Sequence, residues 1–274
     1  MRKNFTSSIM INLILTVFAI ISFFPIYMAF INSFKTQGEI FTSVLSFPTS
    51  FSLENYIGVF TELDLVSSSF NTLLVTVIGL AGIVICGSLA GYKLARTSGK
   101  LSALIFTLFI ASMLVPFHSI MITLSQMAKG LGLQGSLSGL GLIYIGLGVN
   151  MAVFLYHGFV KSIPRELEEA AKIDGCNDIQ IFVRIIFPLL KPITATILVL
   201  NVLWLWNDFL LPLIMLTDVN NYTLMLSINM LFGQYVADWP KILAALVLTA
   251  LPVVVFYAFF QKYILEGIAD GAIK

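Results

Sequence analysis

Six stretches of this chain are apolar almost throughout, at about 9–31, 69–92, 101–124, 140–159, 193–216 and 242–263. A helix rising 1.5 Å per residue needs about 20 such residues to cross a hydrocarbon core roughly 30 Å thick. Inside lipid there is no water to bond the backbone, so a crossing segment is either a helix or a strand of a closed barrel. Barrel strands alternate apolar and polar residues over about ten positions, and no such alternation occurs here. The expectation is an all-α integral membrane protein with six transmembrane helices, 1–274 forming one membrane domain. Charged residues make up only 11% of the chain, against roughly 25% in an average soluble domain, too few for a water-facing shell.

Twelve of the fifteen lysines and arginines fall in the N-terminus, the turn 93–100, the loop 160–192 and the tail 264–274 or just before it; Lys35, Lys129 and Lys241 fall on the other side. The excess of basic residues marks the cytosolic side, so both termini are expected in the cytosol. The basic start Met1-Arg2-Lys3 resembles a signal peptide, yet the apolar run continues to Ile31 without a small-x-small cleavage site, so it reads as an uncleaved first span. A net charge of +1, spread along the chain, lacks the basic patch of a nucleic-acid-binding surface. Cys86 and Cys176 fall in a span and in a cytosolic loop, too far apart for a disulfide. The outer segments 32–68 and 217–241 exceed what neighbouring helices need; docking of a partner and plain packing over helix ends both account for them.

The most charged part is 160–192. Within it, Pro164 suits a first helical position, Glu166, Glu168 and Glu169 suit the positive N-terminal end, and Gly175 suits a left-handed C-cap. A short helix results, with Leu167, Ala170 and Ala171 on one face, Arg165, Glu168, Glu169 and Lys172 on the other, and Glu168 paired to Lys172 four residues on. Asn177 and Asp178 start a second helix with Ile179, Phe182, Val183 and Ile186 on one face, ended by Pro188.

Glu169-Ala170-Ala171, then Gly175, Ile185 and Pro188, resembles the signature loop of permease subunits in binding-protein-dependent ABC importers, with Phe187 where leucine is usual. Asn32-Ser-Phe-Lys35, Leu53-Glu-Asn-Tyr56, Ser69-Phe-Asn-Thr72, Gly91-Tyr-Lys-Leu-Ala-Arg96, Ile173-Asp174-Gly175 and Trp206-Asn207-Asp208 extend the resemblance along the chain, toward the smaller permease subunit of the carbohydrate, maltose-type branch. That resemblance implies a type I importer permease fold in a bacterial or archaeal cytoplasmic membrane, crossing it several times. It implies a sister permease in a heterodimer, two copies of a cytosolic ATPase carrying ATP and Mg, and an extracytoplasmic solute-binding protein. It also implies that Glu169, Ala170, Ala171, Asp174, Gly175, Ile185 and Pro188 form the ATPase-coupling segment between spans four and five, and that Gly267, Gly271 and Lys274 in the tail reach the ATPase.

The sequence contains no GxxxxGK[ST] phosphate loop, no HExxH zinc motif and no GxSxG elbow, so neither ATP binding, nor a metal, nor a catalytic residue is assigned to this chain, and no cofactor. Gly87 and Gly91 form a small-xxx-small pair that permits close helix contact. Asp208, a charge near a span end, faces protein or water, as a substrate contact, a gate, a contact with a docked binding protein, or a helix-to-helix hydrogen bond. Trp204, Trp206 and Asn207 beside it suit a sugar path, and the tryptophans equally suit interfacial anchoring. His118 and His157 read as satisfied polar residues without a partner motif, and Pro212 and Pro252 as kinks. An ion-gradient-driven transporter or channel would call for paired interrupted spans with intramembrane carboxylates, of which only Asp208 fits; a purely structural membrane protein leaves the signature loop without a reason.

Overall fold

The structure is a computed structural model that describes the backbone of 5–233 and 237–272, with side chains over 9–233, 237–259 and 261. In chain order the helices are α1 (Phe5–Asn32), α2 (Gln37–Thr42), α3 (Glu54–Glu62), α4 (Leu65–Arg96), α5 (Lys100–Met113), α6 (Phe117–Gly130), α7 (Leu137–Val160) and α8 (Glu166–Ile173). They continue with α9 (Asp178–Ile181), α10 (Phe187–Leu189), α11 (Lys191–Asn207), α12 (Leu210–Met215), α13 (Leu224–Asn229) and α14 (Trp239–Ala272). Among the described residues there is no strand, only an isolated bridge between Phe232 and Ala237.

Among the described residues four helices are long and apolar enough to cross a bilayer: α1 over Ile9–Asn32, α4, α7, and α14 over Trp239–Phe259. Two further segments qualify only as bent pairs, α5 with α6 at 105° and Asp178–Leu189 with α11 at 73°. The stretch 101–124 is therefore not one straight crossing. Pro116 restricts the residue before it and ends α5 at Met113, and 14 residues of helix reach only about 21 Å. The stretch 193–216 is likewise divided, because α11 stops at Asn207 and α12 starts at Leu210. Pro212 lies in the first turn of α12, where a missing N–H leaves nothing unbonded, and α14 continues past Pro252.

The chain forms two compact units. One comprises the residues up to Val66 with Ser227–Pro252. In it, α1 is exposed over all of 9–26, as a helix surrounded by lipid or by another protein must be. The segment after α1 is strapped rather than slack. Asn55 Nδ2 donates to the carbonyls of Ser33 and Lys35 at 2.8 and 2.9 Å, and the Ser33 and Tyr56 hydroxyls bond at 2.6 Å. Lys35, 1% exposed, donates to the Ser43 carbonyl at 3.0 Å; burial lowers its pKa, with Glu39 opposing the shift. The Glu39 carboxylate accepts from the amides of Thr36 and Thr49, which hold its pKa down at about 2. Lys241 Nζ meets Glu62 Oε1 at 2.6 Å.

The other unit, Ser67–Leu226 with the chain from Val253 onward, is held by close contact of α4 with α7. A Cβ on Gly87 would lie 2.6 Å from that of Ala152, and one on Gly91 would lie 2.6 Å from Tyr156 Cβ and 3.0 Å from the His157 nitrogen. The expected small-residue pair thus faces α7, and Gly79 extends the contact with a Cβ position 3.3 Å from Tyr144 Cβ. From α7, the Tyr156 hydroxyl bonds Thr194 of α11 at 2.8 Å. Ala95, Ala152, Tyr156, Val160, Ile186, Ile193 and Ile197 belong to one buried cluster in this unit, and Val75, Leu140, Tyr144, Leu205, Leu211 and Met215 to another.

Candidate functional site

The loop after α7 folds as three pieces. Pro164 precedes α8, whose first turn holds Glu166, Glu168 and Glu169, a placement the helix dipole favours. Gly175 has φ +83°, its N–H bonds the Lys172 carbonyl and the Cys176 N–H bonds the Ala171 carbonyl, each at 3.0 Å. This is a Schellman cap, with Gly175 at the left-handed position and Ala171 and Cys176 both on the apolar cluster. Asn177 and Gln180 then close a capping box at 2.9 Å in each direction and start α9.

The face that α8 turns inward differs from the one its sequence predicts. Ala171 is buried, but Leu167 is 43% and Ile173 87% exposed, and Ala170 is exposed as well. Glu168, three residues before Ala171, also turns inward, so α8 is drawn in by charge rather than by leucine. Arg96 at the end of α4 donates through Nε to Glu168 Oε1 at 2.6 Å and through Nη2 to the Ile163 carbonyl at 2.9 Å. The Tyr92 hydroxyl donates to the other oxygen of Glu168 at 2.8 Å. The two side chains of the ion pair are only 12% and 13% exposed. Glu168 therefore does not pair with Lys172, which lies 3.8 Å from Asp178 instead; a fixed guanidinium outcompetes a solvated lysine on the same helix.

After α9 the chain makes a π-helical turn, Phe182–Ile186, in which the Phe187 N–H bonds the carbonyl of Phe182 five residues back. Pro188 follows and has no N–H with which to continue the ordinary ladder. The extra residue rotates the helix, so Ile181, Phe182 and Ile186 are buried while Ile179 and Val183 are 76% and 55% exposed. The expected Ile179, Phe182, Val183, Ile186 face is corrected accordingly. Ile185 packs half-buried against the cluster and Pro188 is exposed. An open groove of about 910 Å³ runs beside α8–α10, lined in part by Leu89, Tyr92, Lys93, Phe182 and Val183.

Of the residues placed on the substrate path, Asp208 accepts from the Tyr144 hydroxyl at 2.7 Å and from the Leu210 N–H at 3.2 Å, bridging the break between α11 and α12. Trp206 is buried, and Asn207 donates back to the Leu203 carbonyl at 2.7 Å. Trp204 alone of the four lines a cavity of about 690 Å³. His157 is buried and stacks on Phe106 with centroids 3.7 Å apart. Among the described residues no three His, Cys, Asp or Glu side chains come together.

Residues 82–269 match the family described as binding-protein-dependent transport system inner membrane component. The chain belongs to that family. It is 40% identical over the full length of both chains to a probable starch degradation products transport system permease protein of Thermoanaerobacterium thermosulfurigenes. It is 35% identical, again over the whole of both, to a melibiose/raffinose/stachyose import permease protein of Bacillus subtilis strain 168. Its fold matches a chain from the crystal structure of a bacterial ABC transporter involved in the import of the acidic polysaccharide alginate, with a TM-score of 0.83, 23% identity, and coverage of 96% and 98% of the two chains. This permease is thus an all-helical, multi-pass membrane protein.

The residues expected to couple to an ATPase lie together on one folded segment: Glu169, Ala170, Asp174 and Gly175 on the exposed side of α8 and its cap, Ala171 on the inner side. Tyr92 and Arg96, which hold α8 through Glu168, stand outside the signature loop. Their signal was present, since they stand four apart, hence on one face, inside Gly91-Tyr-Lys-Leu-Ala-Arg96. In the tail, Gly267 and Gly271 fall within the backbone of α14, their surroundings lie outside the described side chains, and Lys274 lies outside the described residues.

Proposed function

We propose that this permease is the transmembrane subunit of an ATP-driven ABC importer that carries a carbohydrate, an oligosaccharide or glycoside, into the cytoplasm by alternating access. Its partners are a sister permease, two copies of a cytosolic ATPase and an extracytoplasmic solute-binding protein, in the cytoplasmic membrane of a bacterium or archaeon. The chain performs no ATP hydrolysis itself. The names of the relatives support the substrate class, since starch degradation products and melibiose, raffinose and stachyose are all saccharides. Basic residues gathered at both termini and in 160–192 support a cytosolic position for α8.

One observation carries the coupling reading. α8 is anchored through Glu168 and Ala171 while Leu167, Ala170 and Ile173 stay exposed, so a short helix rigidly joined to α4 offers an unpartnered apolar face. A partner gripping that face moves α4 with it, and ATP shifts the permease between states only insofar as the gripped and released forms differ in free energy. Asp208 is engaged at a helix break, which leaves the ion-driven alternative without its intramembrane carboxylate. The test is uptake by proteoliposomes holding the permease, its sister subunit, the ATPase and the binding protein. ATP-dependent accumulation is expected, and uptake driven by an ion gradient with no ATP requirement would overturn the reading.

A further inference from the structure

The cavity of about 690 Å³ lies within one unit, between the broken α5–α6 segment, α7 and α11. Its size is within the roughly 300–1,000 Å³ typical of small-ligand sites. Its polar lining converges from three helices: Ser112 at the end of α5, Asn150 on α7, and Asn201 with Trp204 on α11. Asn201 and Trp204 are three residues apart and so share a face of α11.

Asn201 is 1% exposed, its Nδ2 donates to the Ile197 carbonyl at 2.8 Å, and its Oδ1 has no hydrogen-bond partner. A buried amide oxygen without a donor is unfavourable by about 1–3 kcal/mol, so this position lacks one hydroxyl or N–H. The oxygen lies beside Gly148, where a Cβ would come to 3.1 Å of it and 2.4 Å of Ile83 Cδ1, so no other residue type fits there without displacing a neighbour. Trp204 is 39% exposed and is held by Tyr144, edge to face, with centroids 5.5 Å apart; Tyr144 is in turn fixed by its bond to Asp208. No charged residue is among the described lining residues.

An oriented indole, two carboxamides and no charge match a ligand with apolar C–H faces and neutral hydroxyl edges. We infer that this chain contacts the transported saccharide itself, in a neutral subsite where Trp204 covers a sugar ring and Asn201 Oδ1 accepts a sugar hydroxyl, with Asn150 of α7 a second polar group in the lining. Asp208 then positions the site through its bond to Tyr144 rather than touching the sugar. This inference rests on the importer reading above.

The experiment compares uptake of radiolabelled neutral oligosaccharides by proteoliposomes of the complete importer carrying wild type, Asn201→Ala, Trp204→Ala or Trp204→Phe, with melting temperatures measured alongside. The saccharide panel includes pairs that differ in the configuration of one hydroxyl. Asn201→Ala and Trp204→Ala are expected to raise the apparent KM about tenfold, the worth of one hydrogen bond or stacking contact, and to change the preference within a pair. Trp204→Phe is expected to restore most of the Trp204→Ala loss. Unchanged KM and unchanged preference in both alanine variants would overturn the subsite. So would a loss equal for every saccharide that follows a fall in melting temperature. A wild-type complex without ATP-dependent uptake would overturn the importer reading itself, and the subsite with it.

Discussion

Replacing Arg96 by methionine removes the charge that draws α8 against α4 while retaining much of the volume. Two interactions are lost, the 2.6 Å contact to Glu168 and the 2.9 Å bond to the Ile163 carbonyl. Breaking a fully buried pair costs about 3–5 kcal/mol and an exposed one about 0.2–1. With 12% and 13% of the two side chains exposed, and the Tyr92 hydroxyl still bonded to Glu168, the expected cost is about 2.5 kcal/mol. At 1.4 kcal/mol per tenfold, the detached state of α8 becomes about 60 times more populated. Hydrogen exchange measured in nanodiscs reads this directly: amides of Glu166–Ile173 are expected to exchange about 60-fold faster in Arg96→Met, as a local opening. A cycle with Glu168→Gln isolates the pair, and a coupling energy of about 1.5 kcal/mol or more is expected. Exchange within about twofold of wild type, or additive single and double variants, would refute the tether.

Four further outcomes follow from the same contacts. Ala171→Leu overpacks a 5% exposed position and is expected to lower stability by about 1–3 kcal/mol; Ala170→Leu, on the exposed side, should leave the unfolding free energy within about 0.5 kcal/mol of wild type yet impair ATP-linked uptake. Gly91→Ala, whose Cβ would meet α7 backbone, should reduce folded yield in a fluorescence size-exclusion assay, whereas Gly158→Ala, with nothing within 4 Å, should not. Gly175→Pro, and more mildly Gly175→Ala at φ +83°, should loosen the α8 cap and lower transport-linked ATPase while membrane insertion is retained. Glu39, whose pKa is depressed to about 2, contributes stability that is full above the ordinary carboxylate pKa and lost as pH falls through its folded value; Glu39→Gln should flatten acid unfolding curves in that window.

The four unbroken apolar helices were legible because composition over 20 residues decides them, and the α8 cap was legible because a glycine after a short acidic helix has one favourable backbone solution. The inward face of α8 was not. Helical periodicity ranks leucine and alanine above glutamate, but it contains no record of Arg96, 72 residues away, whose charge reverses the order. The π-helical turn escaped for a related reason, since Pro188 announces a disturbed ladder without saying whether the helix stops or takes in one residue. The stretch 101–124 reads as one crossing by composition although it holds Pro116, and the 105° angle there comes from packing that a single strand of sequence does not encode. Asn201 was passed over because an asparagine inside a span usually bonds its own helix, which its nitrogen does and its oxygen does not.

The glycines of α4 have a mechanical consequence. Where two rods touch at the main chain, no layer of rotatable groups remains between them to absorb a displacement, so neither can slide past the other without collision. Such a pair moves as one body along the length of its contact. Compliance then falls to the breaks between helices, among them those near Pro116, Leu190 and Asp208.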